Sequence, residues 1–184
     1  EQFLAETAAV ASRINDDAIE RLADELAELK GRLYIAGLGG SAANASHAAA
    51  DLRRLCSIAA VAMVDSVPEI TARANDDGWE TIFSGRLADD GMMADALLVL
   101  SVGGGTAEVS KPLVRAIDTA RSIGMRVFGI VGRDGGYTAL QGDCVIVVPT
   151  VDPARVTPHT EAWQMVILHL LVSHPKLQRT RTKW

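Results

Sequence analysis

The sequence predicts an α/β fold: a five-stranded parallel sheet covered by helices on both faces, with a helical extension over residues 1–30 in front of it. Three observations predict it. Five apolar runs of four to six residues lie at 33–36, 59–64, 96–101, 126–131 and 144–148, too short for helices and mostly branched at the side chain. The segments between them carry helical periods, notably 41–56, 108–123 and 160–172. Hydrophobic residues make up 48% of the chain but aromatic ones only 4%, so the core is built from Ala, Val, Leu and Ile, which suits buried parallel strands under close-packed helices. Right-handed crossovers then put every strand's C-terminal end on one edge, where ligands bind in such sheets.

In chain order, Phe3, Leu4, Ala8, Val10 and Ala11 begin a helical period that Ile19, Leu22, Ala23 and Leu26 continue. Asn15 to Asp17 mark a break or cap within it, and Gly31 is expected to end it. The strand at 33–36 then runs into Gly37-Leu38-Gly39-Gly40-Ser41, and the strand at 96–101 into Ser101-Val102-Gly103-Gly104-Gly105-Thr106. Both turns are expected to open helices. Glycines let an anion approach the backbone, and a helix start offers unpaired N–H groups and a favourable dipole. Ser41, Ser101 and Thr106 add hydroxyl donors. The bland alternative is tight packing of strand on helix. A dinucleotide site is the rival, since Gly37-x-Gly39-x-x-Ala42 fits G-x-G-x-x-A, but no acidic residue ends the second strand in the expected way, although Asp65 is nearby.

With 184 residues and no repeat, low-complexity stretch or Pro/Ser-rich linker, the chain reads as one domain. Its net charge of −5 argues against a general nucleic-acid binder; the basic cluster Lys176, Arg179, Arg181 and Lys183 reads as a solvated tail. No run approaches the roughly 18 apolar residues of a membrane span. Cys56 and Cys144 lack metal or redox spacing and read as buried thiols, which points to a cytoplasmic protein. The first residue is Glu1 rather than Met, which leaves a removed leader open.

Four polar residues interrupt two otherwise apolar helices. His47 and Asp51 are an i,i+4 pair, and Glu161 and His169 lie about two turns apart on the last helix. A buried carboxylate or imidazole needs a partner. Each alone reads as a satisfied core group; together they suit Zn²⁺ or, equally, a metal-free acid–base set. His159, after Pro158, is placed to cap the helix or touch a ligand, and His174 is expected to be exposed.

Here the sequence resembles the SIS (sugar isomerase) domain proteins, and within them the phosphoheptose isomerase branch. The resemblance rests on Ala36-Gly-Leu-Gly-Gly-Ser-Ala-Ala-Asn-Ala-Ser-His47, Ala74-Asn-Asp76, Ile82-Phe-Ser-Gly-Arg86 and Gly132-Arg-Asp-Gly-Gly136. It implies a flavodoxin-like three-layer sandwich in a homotetramer whose active sites take residues from neighbouring subunits. It also implies a zinc site on His47, Asp51, Glu161 and His169, with a carboxylate as base and His169 as acid. The sugar phosphate would be held by Gly39, Gly40, Ser41, Ser101, Gly103, Gly104, Gly105 and Thr106, with Asp76 beside the sugar. Against the family pattern, Leu38 replaces Asn, the 101–106 loop loses two hydroxyls, Asp51 replaces Glu and Glu161 replaces Gln. The expected function is aldose–ketose isomerisation of a sugar phosphate, sedoheptulose 7-phosphate first. The alternative is a non-catalytic sugar-phosphate sensor or assembly module on the same fold.

Overall fold

The computed structural model describes residues 1–180, so Arg181 and Lys183 of the basic tail lie outside the described residues. The extension is two helices, α1 (Gln2–Ala11) and α2 (Asp16–Glu28), and the break falls where Asn15 caps α2, its Oδ1 accepting from Ala18 N at 3.1 Å. Gly31 does not end that helix, which stops at Glu28. It lets the chain pass tightly over the backbone at Ala94, to which its N–H donates at 3.0 Å, and a Cβ there would collide with the Ala94 carbonyl.

All five strands form: β1 (Leu33–Gly37), β2 (Ala60–Ala62), β3 (Ala96–Ser101), β4 (Arg126–Val131) and β5 (Cys144–Val147). They pair in parallel in the order β2-β1-β3-β4-β5, the flavodoxin-like order. β2 is shorter than its apolar run because it is an edge strand, pairing with β1 alone. Side chains alternate along each strand, so the sheet has two separate cores. Leu33, Ile35, Leu98, Leu100 and Ile130 face a core shared with α1, α2, α3 (Gly40–Cys56) and α8 (Val156–Val172). Tyr34, Ala36, Leu97, Val99 and Val127 face the other, built with α5 (Ser84–Asp90) and α6 (Lys111–Ile123). This is the expected three-layer sandwich.

Three helices escape the sequence pattern: α4 (Val67–Asp76), α5 and α7 (Gly136–Gln141). α4 buries no residue completely, so it has no strong apolar stripe to read. α6 begins at Lys111, three residues after the expected start, and α8 at Val156, four before it. His174 is half-buried rather than exposed, its Nε2 lying 3.1 Å from Glu20 Oε1. Cys56 and Cys144 are buried free thiols, and burial pushes the Cys56 thiol up to about 11, which leaves it a poor nucleophile at neutral pH. Among the described residues no helix is long and apolar enough to cross a membrane.

Candidate active site

In the order β2-β1-β3 the chain reverses direction of winding between β1 and β3, and ligands of open α/β sheets bind at that crevice. The turns after β1 and β3 meet there. They form a cavity of about 250 Å³ lined by Leu38, Ser41, Ser101, Val102, Gly103, Gly105 and Thr106, with Val109, Ser110, Arg133 and Thr157 closing it. The first turn opens α3 as expected: Gly39, at φ 61°, takes the left-handed backbone that glycine adopts without strain, and the helix starts at Gly40. Ser41 is buried and its Oγ has no hydrogen-bond partner among the described residues.

The second turn differs from expectation. It does not open a helix, because residues 102–110 intervene before α6. Instead it is a self-braced loop. Ser101 Oγ accepts from Gly104 N at 3.0 Å, Thr106 Oγ1 accepts from Val109 N at 3.0 Å, and Gly104 O accepts from Thr138 Oγ1 at 2.7 Å. Gly104, at φ 70°, packs against the backbone of Gly135 so closely that a Cβ would overlap its carbonyl. Since Ser101 and Thr106 use their oxygens as acceptors in these bonds, their O–H groups remain available to donate to a ligand.

α3 and α8 lie side by side and run in the same direction. Asn44 Nδ2 donates to Glu161 O and to Gln164 Oε1, both at 2.9 Å, and the buried Gln164 reaches Ile130 O from Nε2 at 3.4 Å. Farther along the pair, three of the four expected polar residues converge. His47 Nε2 lies 3.1 Å from Asp51 Oδ2 and 3.4 Å from His169 Nε2, and His169 Nε2 lies 4.0 Å from the same Asp51 oxygen. The two rings are tilted by 59° with centroids 5.4 Å apart. Donors about 2.0–2.1 Å from a tetrahedral Zn²⁺ sit roughly 3.3 Å from one another. The donor set and spacing therefore fit zinc, with one position left for water or substrate.

Glu161 does not join this group. Eight residues along a helix is about 12 Å, and its carboxylate lies at the opposite end, against the first residue of α3: a Cβ on Gly40 would meet Glu161 Cδ at 2.5 Å. Asp76 also stands apart. It closes α4 on the exposed surface, where Asn75 Nδ2 donates to its Oδ1 at 2.7 Å, and it lines neither cavity nor cluster within the chain. His159 neither caps α8 nor reaches the cavity. It is buried, bonded to Glu6 Oε2 at 2.8 Å and stacked on Phe3 at 4.3 Å. Asn44, Ser110, Arg133, Thr157 and Gln164 carried no separate signal in the sequence; each matters through an element packed beside it, not through its neighbours in the chain.

A sheet with its crevice at the β1–β3 switch, a braced glycine loop and a polar cluster on α3 and α8 describes a SIS-type sugar-phosphate domain. The family model for the SIS domain matches residues 2–132, and the chain belongs to that family. Within it the chain groups with the phosphoheptose isomerases. It is 31% identical over 152 residues to the phosphoheptose isomerase of Helicobacter pylori strain P12, covering 80% of this chain and 75% of that protein. It is 31% identical over 187 residues to that of Mycobacterium bovis BCG, covering 95% and 91%. The structure of phosphoheptose isomerase GmhA from Neisseria gonorrhoeae superposes with a TM-score of 0.81 at 26% identity, covering 93% of this chain and 94% of that one.

Proposed function

We propose that this SIS-domain chain is an aldose–ketose isomerase of a seven-carbon sugar phosphate, interconverting sedoheptulose 7-phosphate and D-glycero-D-manno-heptose 7-phosphate. One observation carries the reading: the same helix, α3, begins in the anion cavity at Ser41 and bears the polar cluster at His47 and Asp51. Six residues of helix separate Ser41 from His47, about 9 Å. An extended heptose 7-phosphate spans about 10 Å from C1 to phosphorus at roughly 1.25 Å per bond, and a triose phosphate only about half that.

The hydroxyls of Ser41, Ser101 and Thr106 and the loop glycines bind the phosphate, which fixes the other end of the sugar beside α8. A carboxylate then removes a proton from C1 of the ketose while an acid protonates the C2 oxygen, giving the enediol. Return of the proton to C2 and loss of the O1 proton give the aldose. Asp51 is held by two imidazoles. It is the carboxylate beside His169, 4.0 Å away, so Asp51 is assigned the base and His169 the acid, while Glu161, against Gly40, stands at the phosphate end of the sugar. His47, Asp51 and His169 are the residues that would hold Zn²⁺. When bound, the ion supplies positive charge that stabilises negative charge developing on the sugar oxygens.

The reading extends to assembly. α8 leaves Val166 and Leu170 42% and 49% exposed on either side of His169, and α1 leaves Leu4 72% exposed. A second copy covering that flank would exclude water from the cluster and bring further side chains, Asp76 among them, to the sugar. The resemblance makes the assembly a tetramer, and the two unpaired thiols suit a reducing cytoplasm.

The test is to incubate the protein with sedoheptulose 7-phosphate, with and without Zn²⁺, and follow aldose formation. Turnover supports the reading. A folded protein that binds phosphate but gives no aldose under either condition overturns it in favour of the sensor.

A further inference from the structure

Arg133 is the one charged residue lining the phosphate cavity, and no carboxylate among the described residues shares that lining. It has no hydrogen-bonding or ion-pair partner among the described residues, and the neighbouring Asp134 is turned to Gly136 N, at 3.2 Å. Its Cδ lies 3.8 Å from where a Cβ on Gly103 would project, so the side chain lies alongside the loop that carries Gly103.

The backbone there is strained. Three described residues other than glycine occupy the left-handed region, and two of them, Ser110 at φ 59° and Arg133 at φ 52°, line this cavity. Such a conformation is unfavourable for a residue with a Cβ and tends to persist where it serves a site. Gly132, Gly135 and Gly136 surround Arg133, so glycine at 133 would relieve the strain at no cost to the turn. Independently, the buried Ser41 Oγ lines the same cavity without a partner. An exposed cation and a buried donor, both unpaired, face one space.

We infer that Arg133 binds the phosphate of the ligand directly and makes this cavity select a dianionic, phosphorylated sugar over its unphosphorylated counterpart. The inference rests on the isomerase reading only for what lies at the other end of the ligand. A guanidinium offers paired N–H donors that match two phosphate oxygens, and charge-assisted bonds of this kind are about twice as strong as neutral ones.

Calorimetric titration with inorganic phosphate at low salt tests it on the wild-type protein, Arg133→Gln, Arg133→Lys and Arg133→Gly, with a melting curve for each. The expected result is a Kd raised at least about tenfold in Arg133→Gln and less in Arg133→Lys, which keeps the charge without the fork. Arg133→Gly should bind as weakly as Arg133→Gln while melting at the same or a higher temperature. Three results would overturn the proposal: no phosphate binding by the wild-type protein, binding by Arg133→Gln within about twofold of wild type, or a lowered melting temperature in Arg133→Gly, which would mark a structural role. Absence of turnover with Arg133-dependent phosphate binding intact would overturn the isomerase reading alone.

Discussion

His47 and His169, 122 positions apart in the chain, bring their Nε2 atoms to 3.4 Å of each other, with Asp51 Oδ2 3.1 Å from the first. Two imidazole nitrogens at that distance either share one proton between them or turn their lone pairs to a common cation, and the carboxylate beside them suits the second.

The protein purified with zinc in its buffers should therefore hold one ion per chain by elemental analysis. Removing an imidazole in His47→Ala or His169→Ala should weaken zinc binding by more than the roughly 10–100-fold that loss of an outer partner costs. A zinc content equal to wild type in both variants would exclude the cluster as the metal site.

Gly40→Ala should separate Glu161 from the rest of the machinery. The new methyl would meet the Glu161 carboxylate, the movable end of a flexible side chain, so the fold should survive and the carboxylate shift. We expect KM for the sugar phosphate to rise with zinc content unchanged; a wild-type KM would remove Glu161 from the phosphate end of the site.

The apolar flank of α8 gives a prediction in solution. Light scattering should show wild-type protein larger than a monomer, and Leu170→Glu should reduce its mass and its activity together. A monomeric wild-type enzyme with full turnover would contradict the shared site.

Acid should loosen the extension first. Glu6 on α1 takes hydrogen bonds from Arg155 and His159, which hold its carboxyl down at about 2, below its ordinary 4.5. An acid depressed on folding stabilises the folded state fully above its unfolded pKa and loses that contribution as pH falls through the folded one. The melting temperature of wild type should thus drop between about pH 4.5 and 2 relative to Glu6→Gln, with the two curves running parallel above that window. Parallel curves throughout would refute it.

The strands were legible because both faces of the sheet are covered, so apart from Arg126 and Ser101 at strand ends their residues carry no polar alternation; 96–101 and 126–131 match to the residue. The first glycine turn was legible for the same local reason, since its strand, turn and helix are contiguous. The second was misread because its bracing comes from Thr138 and Gly135, more than thirty residues away. Spacing on one helix also could not show that Glu161 sits with Gly40 rather than with His169: that depends on how α8 lies along α3. Arg133 lies inside the Gly132–Gly136 motif, but its positive φ and its missing partner are invisible in a string of letters.

The parallel docking of α3 and α8 bears on how the protein is made. His47 and Asp51 emerge from the ribosome long before His169, and the bonds that align the two helices, from Asn44 to Glu161 and Gln164, join residues 117 and 120 positions apart. The nascent chain can assemble most of its sheet while the His47–Asp51–His169 cluster is still missing a side. A protein stopped short of α8 would keep both glycine turns and lose His169 and Glu161, so the docking of α8 acts as a checkpoint on which molecules carry the whole cluster.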